Sequence, residues 1–238
     1  MIGNWLQTSA VALLVGTAVH ADATDDYVAA NLVSILYHEL GHAIIDVVGL
    51  PVFGQEEDAA DVASILLIDQ LFEESSAVDM AYASAFGFLA EADHTADDVA
   101  WWDTHGPDLQ RYYNLVCLFA GADLDQREDV AVDLGLPPER LQTCEEEFDL
   151  AYGSWGPVFE DLATKAPAQS LRYIGSDSSF TDQVISREVS ELNLDFEMPV
   201  KIDVIVESCG EANAFYDPER LEIIICTEFE SWLRKQAP

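Results

Sequence analysis

The chain has 238 residues, half of them hydrophobic, which is enough for a sizeable core and far too apolar for a disordered chain. It carries 45 acidic residues against 10 Lys and Arg, a net charge of −35, and its first basic side chain is Arg111. A surface this acidic repels phosphate backbones and anionic lipid, so nucleic-acid and membrane-surface partners are excluded; the charge itself reads as solubility or adaptation to a salty medium.

In chain order, Thr8 to Val19 comes first, an apolar stretch of secretory-signal length and too short to span a membrane. Val19 and Ala21 sit where a signal peptidase reads small residues, and Ala21 with Ala23 offers a second such site. The stretch lacks a preceding Lys or Arg. The expected layout is a signal peptide over 1–21, containing His20, and one domain over 22–238. That domain divides into a helical part, 25–165, and a sheet-containing lobe, 168–238. The expected location is periplasmic or secreted, with no stable membrane insertion after cleavage.

Asp25 or Asp26 can cap a first helix. Val28, Leu32, Ile35, Leu36, Ala43, Ile44 and Val47 continue at helical spacing, and Gly49 before Leu50-Pro51 is a stop signal. A second helix is expected from about Gln55 to Phe72. Others follow at 77–92, 107–120, 126–134 and 138–163, the last broken near Gly153 to Pro157. Residues 180–194 read as a helix and Lys201 to Val206 as a strand. Asn213–Tyr216 and Leu221–Cys226 flank Asp217-Pro218-Glu219 as a hairpin, and a helix begins near Glu228. The expected class is α+β, mostly helical, with a small antiparallel sheet near the C-terminus.

The first helix carries His38-Glu39-Leu40-Gly41-His42. Histidines at i and i+4 leave one helix face together, so both rings can reach one ion. Glu39 projects beside that ion, where it can hold a water and take its proton. Gly41 is read as keeping the metal-facing side open. Catalytic zinc takes three protein ligands, and Glu57 at the start of the second helix can be the third, with Glu56 as fallback. The seven residues Gly49 to Gln55 reach about 23 Å when extended, enough for the second helix to fold back beside the first. Asp61, one turn beyond Glu57, can accept the N–H of a ligand histidine's far nitrogen. One zinc ion per chain is expected.

Four cysteines remain, Cys117, Cys144, Cys209 and Cys226, and an even number in an exported chain points to disulfides. Three connectivities are possible. Sequential pairing, Cys117–Cys144 and Cys209–Cys226, is favoured because each pair lies within one local segment.

The HELGH motif followed by Glu56-Glu57-Asp58-Ala59-Ala60-Asp61 resembles a family of bacterial secreted proteins described no further than as candidate metallopeptidases, with gluzincin logic. The resemblance extends over most of the mature chain. It takes in His105, the run Gln110 to Asn114, Cys117, the segment Cys209 to Pro218, and Cys226. It implies a zincin-like domain that hydrolyses peptide bonds.

Asn213-Ala214-Phe215-Tyr216 is similar to the edge strand of thermolysin-like enzymes, which implies that Asn213 and Ala214 bind the substrate backbone. In most zincins that strand precedes the active-site helix; here it follows, so the element order is circularly permuted. His105, Tyr216, Tyr112 and Tyr113 are candidate donors to a tetrahedral oxyanion. His94 sits in an acidic turn and is expected to face solvent. Arg111 can pair with an acid near the metal. The reading is a zinc peptidase acting on peptide or protein. Its alternatives are a non-catalytic binding or structural module and an amidase acting on a non-protein link.

Overall fold

The computed structural model describes residues 23–95, 99–164, 166–176 and 178–238, so the expected signal peptide and His20 lie outside the described residues. The described chain is α+β, with helices first and the sheet near the C-terminus.

Helix α1 (Ala23–Val48) is the central element. It is apolar and long enough to cross a membrane, yet 67% of its most apolar window is buried inside the fold, as befits a core helix. Gly49 ends it with a positive φ of 73°. Leu50 N–H bonds Ile45 O at 2.9 Å and Gly49 N–H bonds Asp46 O at 3.1 Å, a Schellman stop that only glycine enters without strain. Asp25 and Asp26 lie inside the first turn instead of capping it, where their charge favours the helix dipole.

Helix α2 (Glu56–Leu71) folds back along α1. Gly41 decides how closely. A Cβ there would lie 3.0 Å from Ala60 Cα and 3.2 Å from Ala63 Cβ. Gly41 therefore faces α2 and permits backbone contact between the helices, contrary to the expectation that it keeps the metal-facing side open.

Helices α3 (Glu74–Thr95), α4 (Asp108–Gly121) and α5 (Leu124–Asp133) complete the helical layer around α1 and α2. The helix expected over 138–163 is two: α6 (Pro138–Leu141) and α7 (Cys144–Leu162). The break falls before Cys144, and α7 runs through Gly153–Pro157 unbroken. Pro157 leaves only the carbonyl four residues back without a donor, and Gly153 there is exposed to water. At the true break, α7 begins against the end of α4. The Cys117–Cys144 disulfide ties them, and a Cβ on Gly121 would sit 2.1 Å from the Cys144 carbonyl oxygen.

The sheet contains β1 (Leu171–Ile174), β2 (Ile202–Glu207), β3 (Ala214–Asp217) and β4 (Glu222–Cys226) in the order β1-β2-β4-β3. The hairpin is as expected, β3 antiparallel to β4 with Ala214 opposite Ile225. The sheet as a whole is mixed, because β1–β2 and β2–β4 are parallel. Helix α8 (Phe180–Asp195) is the crossover that makes β1 and β2 parallel, and it opens with a Ser179/Asp182 capping box. Ile223, Ile224 and Ile225 are all buried, the continuous apolar run of a strand covered on both faces. The second disulfide, Cys209–Cys226, ties the end of β4 to the segment before β3.

Helix α9 (Glu228–Gln236) returns to the first turn of α1, where Arg234 Nη1 bonds Asp25 Oδ1 at 2.7 Å. Buried side chains from helices and sheet form one contiguous cluster.

Candidate metal centre

The close approach of α1 and α2 at Gly41 brings the first turn of α2 against the histidine face of α1. His38 Nε2 and His42 Nε2 lie 3.2 Å apart, and Glu57 Oε2 lies 3.2 Å from the first and 3.0 Å from the second. Zinc bonds of about 2.0–2.1 Å at tetrahedral angles separate neighbouring ligand atoms by about 3.3 Å. The three atoms thus already form a triangle of the size a tetrahedral zinc ion needs on one side.

The far ring nitrogens are spent elsewhere. His38 Nδ1 is 2.8 Å from Asp61 Oδ1, and His42 Nδ1 is 2.8 Å from Glu56 Oε1. A carboxylate can only accept, so each Nδ1 carries the hydrogen and each Nε2 of the neutral ring presents a lone pair. Two imidazole lone pairs and a carboxylate oxygen then face one point. That donor set is stable only around a cation, whether protons or a metal ion, and two nitrogens with one carboxylate oxygen suit zinc.

Asp61 is in turn held by Arg111, whose Nε and Nη2 donate at 2.8 and 2.9 Å to its two oxygens. The guanidinium lies 4.5 Å from the Phe88 ring centroid. Glu56, the fallback third ligand by sequence, is the outer partner of His42 instead. Its signal in the sequence was only its position beside Glu57.

The charges follow from these contacts. Burial works to lower the His38 pKa, but the hydrogen bonds from Asp61 and Glu57 outweigh it and hold the value up at about 9. His42 is raised in the same way, against burial, by Glu57 and Glu56. Burial would lift Glu57, yet His105, His38 and His42 hold it far below the usual carboxylate range. Asp61 is likewise depressed, against burial, by Arg111 and His38.

Glu39 is buried, at 7% exposure, and lines the cleft with both histidines. Burial pushes its carboxyl pKa up, against the pull of His38 and His42. Its neighbour across the cleft is His105, from the segment between α3 and α4. His105 Nε2 is 2.9 Å from Glu57 Oε2, and its backbone N–H donates to Asp103 Oδ1 at 3.2 Å.

The edge strand β3 closes another side of the cleft, with Asn213, Ala214 and Tyr216 among its lining residues. The Tyr216 hydroxyl donates to Asp46 Oδ2 at 2.8 Å, one helical turn beyond His42. Tyr112 is not at the site: it is buried in the core, and its hydroxyl donates to the Leu134 carbonyl. Tyr113 packs against Tyr112, with ring centroids 5.1 Å apart. His94 is exposed in the last turn of α3. A second cavity of about 790 Å³ shares His38, Glu39 and His105 with the cleft and continues between the helices past Ile35, Ile65, Phe88 and Leu115.

Residues 7–158 and 163–237 match the model of a protein family described as "Putative metallopeptidase". No curated protein and no solved structure matches the chain.

Proposed function

The chain belongs to that family, and we propose from this premise that it is a secreted zinc-dependent peptidase of the gluzincin type. His38, His42 and Glu57 hold one zinc ion, and Glu39 is the general base. The observation that carries the reading is the convergence of His38 Nε2, His42 Nε2 and Glu57 Oε2 at 3.0–3.2 Å, with each ring's other nitrogen engaged by a carboxylate.

Zinc bound there supplies Lewis acidity for the scissile carbonyl and makes a water molecule easier to deprotonate. Glu39 takes the proton of the attacking water and passes it to the leaving amine. A carboxyl raised by burial suits both halves of that task, since its basicity is matched more closely to neutral pH. His105, whose Nε2 lies 2.9 Å from Glu57 Oε2, is the candidate donor for oxyanion charge. The free edge of β3 receives an extended peptide backbone through Asn213 and Ala214. Tyr216 holds that strand to α1 through Asp46. Asp61, fixed by Arg111, sets the His38 ring.

The mature chain is read as one zincin-like domain, permuted so that the substrate strand follows the metal helix. Its place is the periplasm or the medium, a location that the two disulfides favour. An intact base beside the ligands argues against a purely structural metal. Metal analysis of the purified mature protein, then a peptide-library digest with and without chelator, tests the proposal. About one zinc per chain and chelator-sensitive cleavage are expected; a protein that binds no zinc would end the reading.

A further inference from the structure

Three large aromatic side chains stand almost wholly in water: Phe53 is 97% exposed, Trp101 79% and Trp102 86%. They occupy two loops that meet. Gln55, two residues after Phe53, donates through Nε2 to the carbonyl of Asp103, the residue after Trp102, at 3.5 Å. The same loops border the cleft, to which Gln55, Thr104 and His105 contribute. Isolated exposed aromatics are ordinary, but three on two touching loops beside a cleft form a surface that awaits a partner.

The two loops themselves contain no Lys or Arg. No Lys or Arg precedes Arg111 in the sequence, and Arg111 itself is largely buried and committed to Asp61. The side chains of Asp103, on one loop, and of Glu56, the first residue of α2 after the other, are 44% and 52% exposed. Ring faces beside carboxylates accept the methylene stem and charged head of Lys or Arg, whereas an acidic partner or an anionic bilayer is repelled.

We propose that Phe53, Trp101 and Trp102 form a docking rim for a cationic extended polypeptide entering the cleft, so that the substrates are Lys- and Arg-rich segments. The inference rests on the peptidase reading for where that chain goes next. The test is fluorescence anisotropy of a labelled lysine-rich peptide and its glutamate-substituted counterpart, added to mature Glu39→Gln protein, which binds without cutting. The lysine-rich peptide should bind and the acidic one should not. Trp101→Ala and Trp102→Ala should each weaken binding roughly 2–5-fold, and added salt should weaken it further. Both tryptophans are exposed, so thermal melts of the variants should match the parent. Equal binding of the two peptides, or binding indifferent to both tryptophans, would overturn the proposal. So would zwitterionic phosphatidylcholine vesicles that bind the parent but not the double variant, since the rim would then be a membrane contact. Wild-type protein separates the two readings. Cleavage of both peptides alike removes the rim and keeps the peptidase, whereas rim-dependent binding with no cleavage of any peptide does the reverse.

Discussion

Tyr216 on the edge strand and Asp46 on the metal helix are joined by a 2.8 Å hydrogen bond across the cleft, from two segments 170 residues apart in the chain. The bond raises the Tyr216 pKa, with burial the larger cause and Asp46 the next. The hydroxyl is thus committed to holding β3 at a fixed distance from His42.

Tyr216→Phe should therefore act on substrate binding. KM is expected to rise a few-fold with kcat and zinc affinity nearly unchanged, which steady-state kinetics would read directly. A fall in kcat of about 10²–10³, the usual effect of removing an oxyanion donor, would instead place the hydroxyl at the reacting centre.

Gly41→Ala should damage the metal site without touching a ligand. The added methyl meets Ala60 Cα at 3.0 Å, which is backbone and cannot swing away. Helix α2 must shift, and Glu57 shifts with it. A stability loss of about 1–3 kcal/mol is expected from the overpacking, together with weaker zinc binding. Thermal melts of the zinc-free protein and competitive-chelator titrations would measure the two effects, and an unchanged titration would mean that Glu57 tolerates the movement.

Glu39→Gln should retain zinc and lose hydrolysis, because an amide can hold a water molecule but cannot take its proton. Zinc stoichiometry equal to the parent's, with cleavage of an identified substrate reduced to background, is the expected pair of results. Parent-like turnover would remove Glu39 from the mechanism.

The His38–His42–Glu57 cluster, which could hold a metal ion, was legible because its information is local: two histidines four residues apart on a strongly apolar helix, then Glu57 and Asp61 four apart on the next. What sequence did not give was anything that depends on which surfaces meet. Gly41 looked like clearance for the metal and is a helix contact, since only the packed structure shows what lies over it. Glu56 and Glu57 are adjacent acids, and only the packed helices show that one meets His42 Nδ1 and the other His42 Nε2. The Gly153–Pro157 run carries the stronger breaking signal, yet α7 breaks earlier, where contact with Gly121 and a disulfide hold Cys144. Strand β1 was missed because four residues, Leu171 to Ile174, are too few for a period to emerge. The unbroken Ile223 to Ile225 run did carry the mark of a central strand with a parallel neighbour.

Asp61→Ala should lower zinc affinity by about 10–100-fold, as loss of an outer partner of a ligand histidine does. It should also destabilise the protein, because Arg111 is left largely buried with only the looser 3.9 Å pair to Asp108; breaking a buried pair costs up to about 3–5 kcal/mol. Asp61→Asn, which preserves shape and one acceptor, should lose less on both measures. Chelator titrations and melts that match the parent for Asp61→Ala would show that His38 needs no outer acceptor.

Zinc binding should strengthen with rising pH up to about pH 9, and the reason lies in His38. In the metal-free protein its pKa is held at about 9, burial being outweighed by the contacts to Asp61 and Glu57. At neutral pH the ring therefore carries a proton on the nitrogen that zinc requires. Binding must release it, so each unit of pH below 9 costs up to tenfold in apparent affinity from this group alone. Stability of the metal-free protein runs the other way. A histidine whose pKa is raised in the fold contributes stability that is fully present below its unfolded value of about 6.5 and is lost as pH climbs through 9. Melting temperature of the zinc-free protein should thus decline from pH 6.5 to 9, while the stabilisation gained on adding zinc grows over the same range. Calorimetric titrations in buffers of different ionisation enthalpy would count the protons released. A zinc affinity that does not change between pH 6.5 and 9, with no proton released, would mean that the ring is already neutral before the metal arrives.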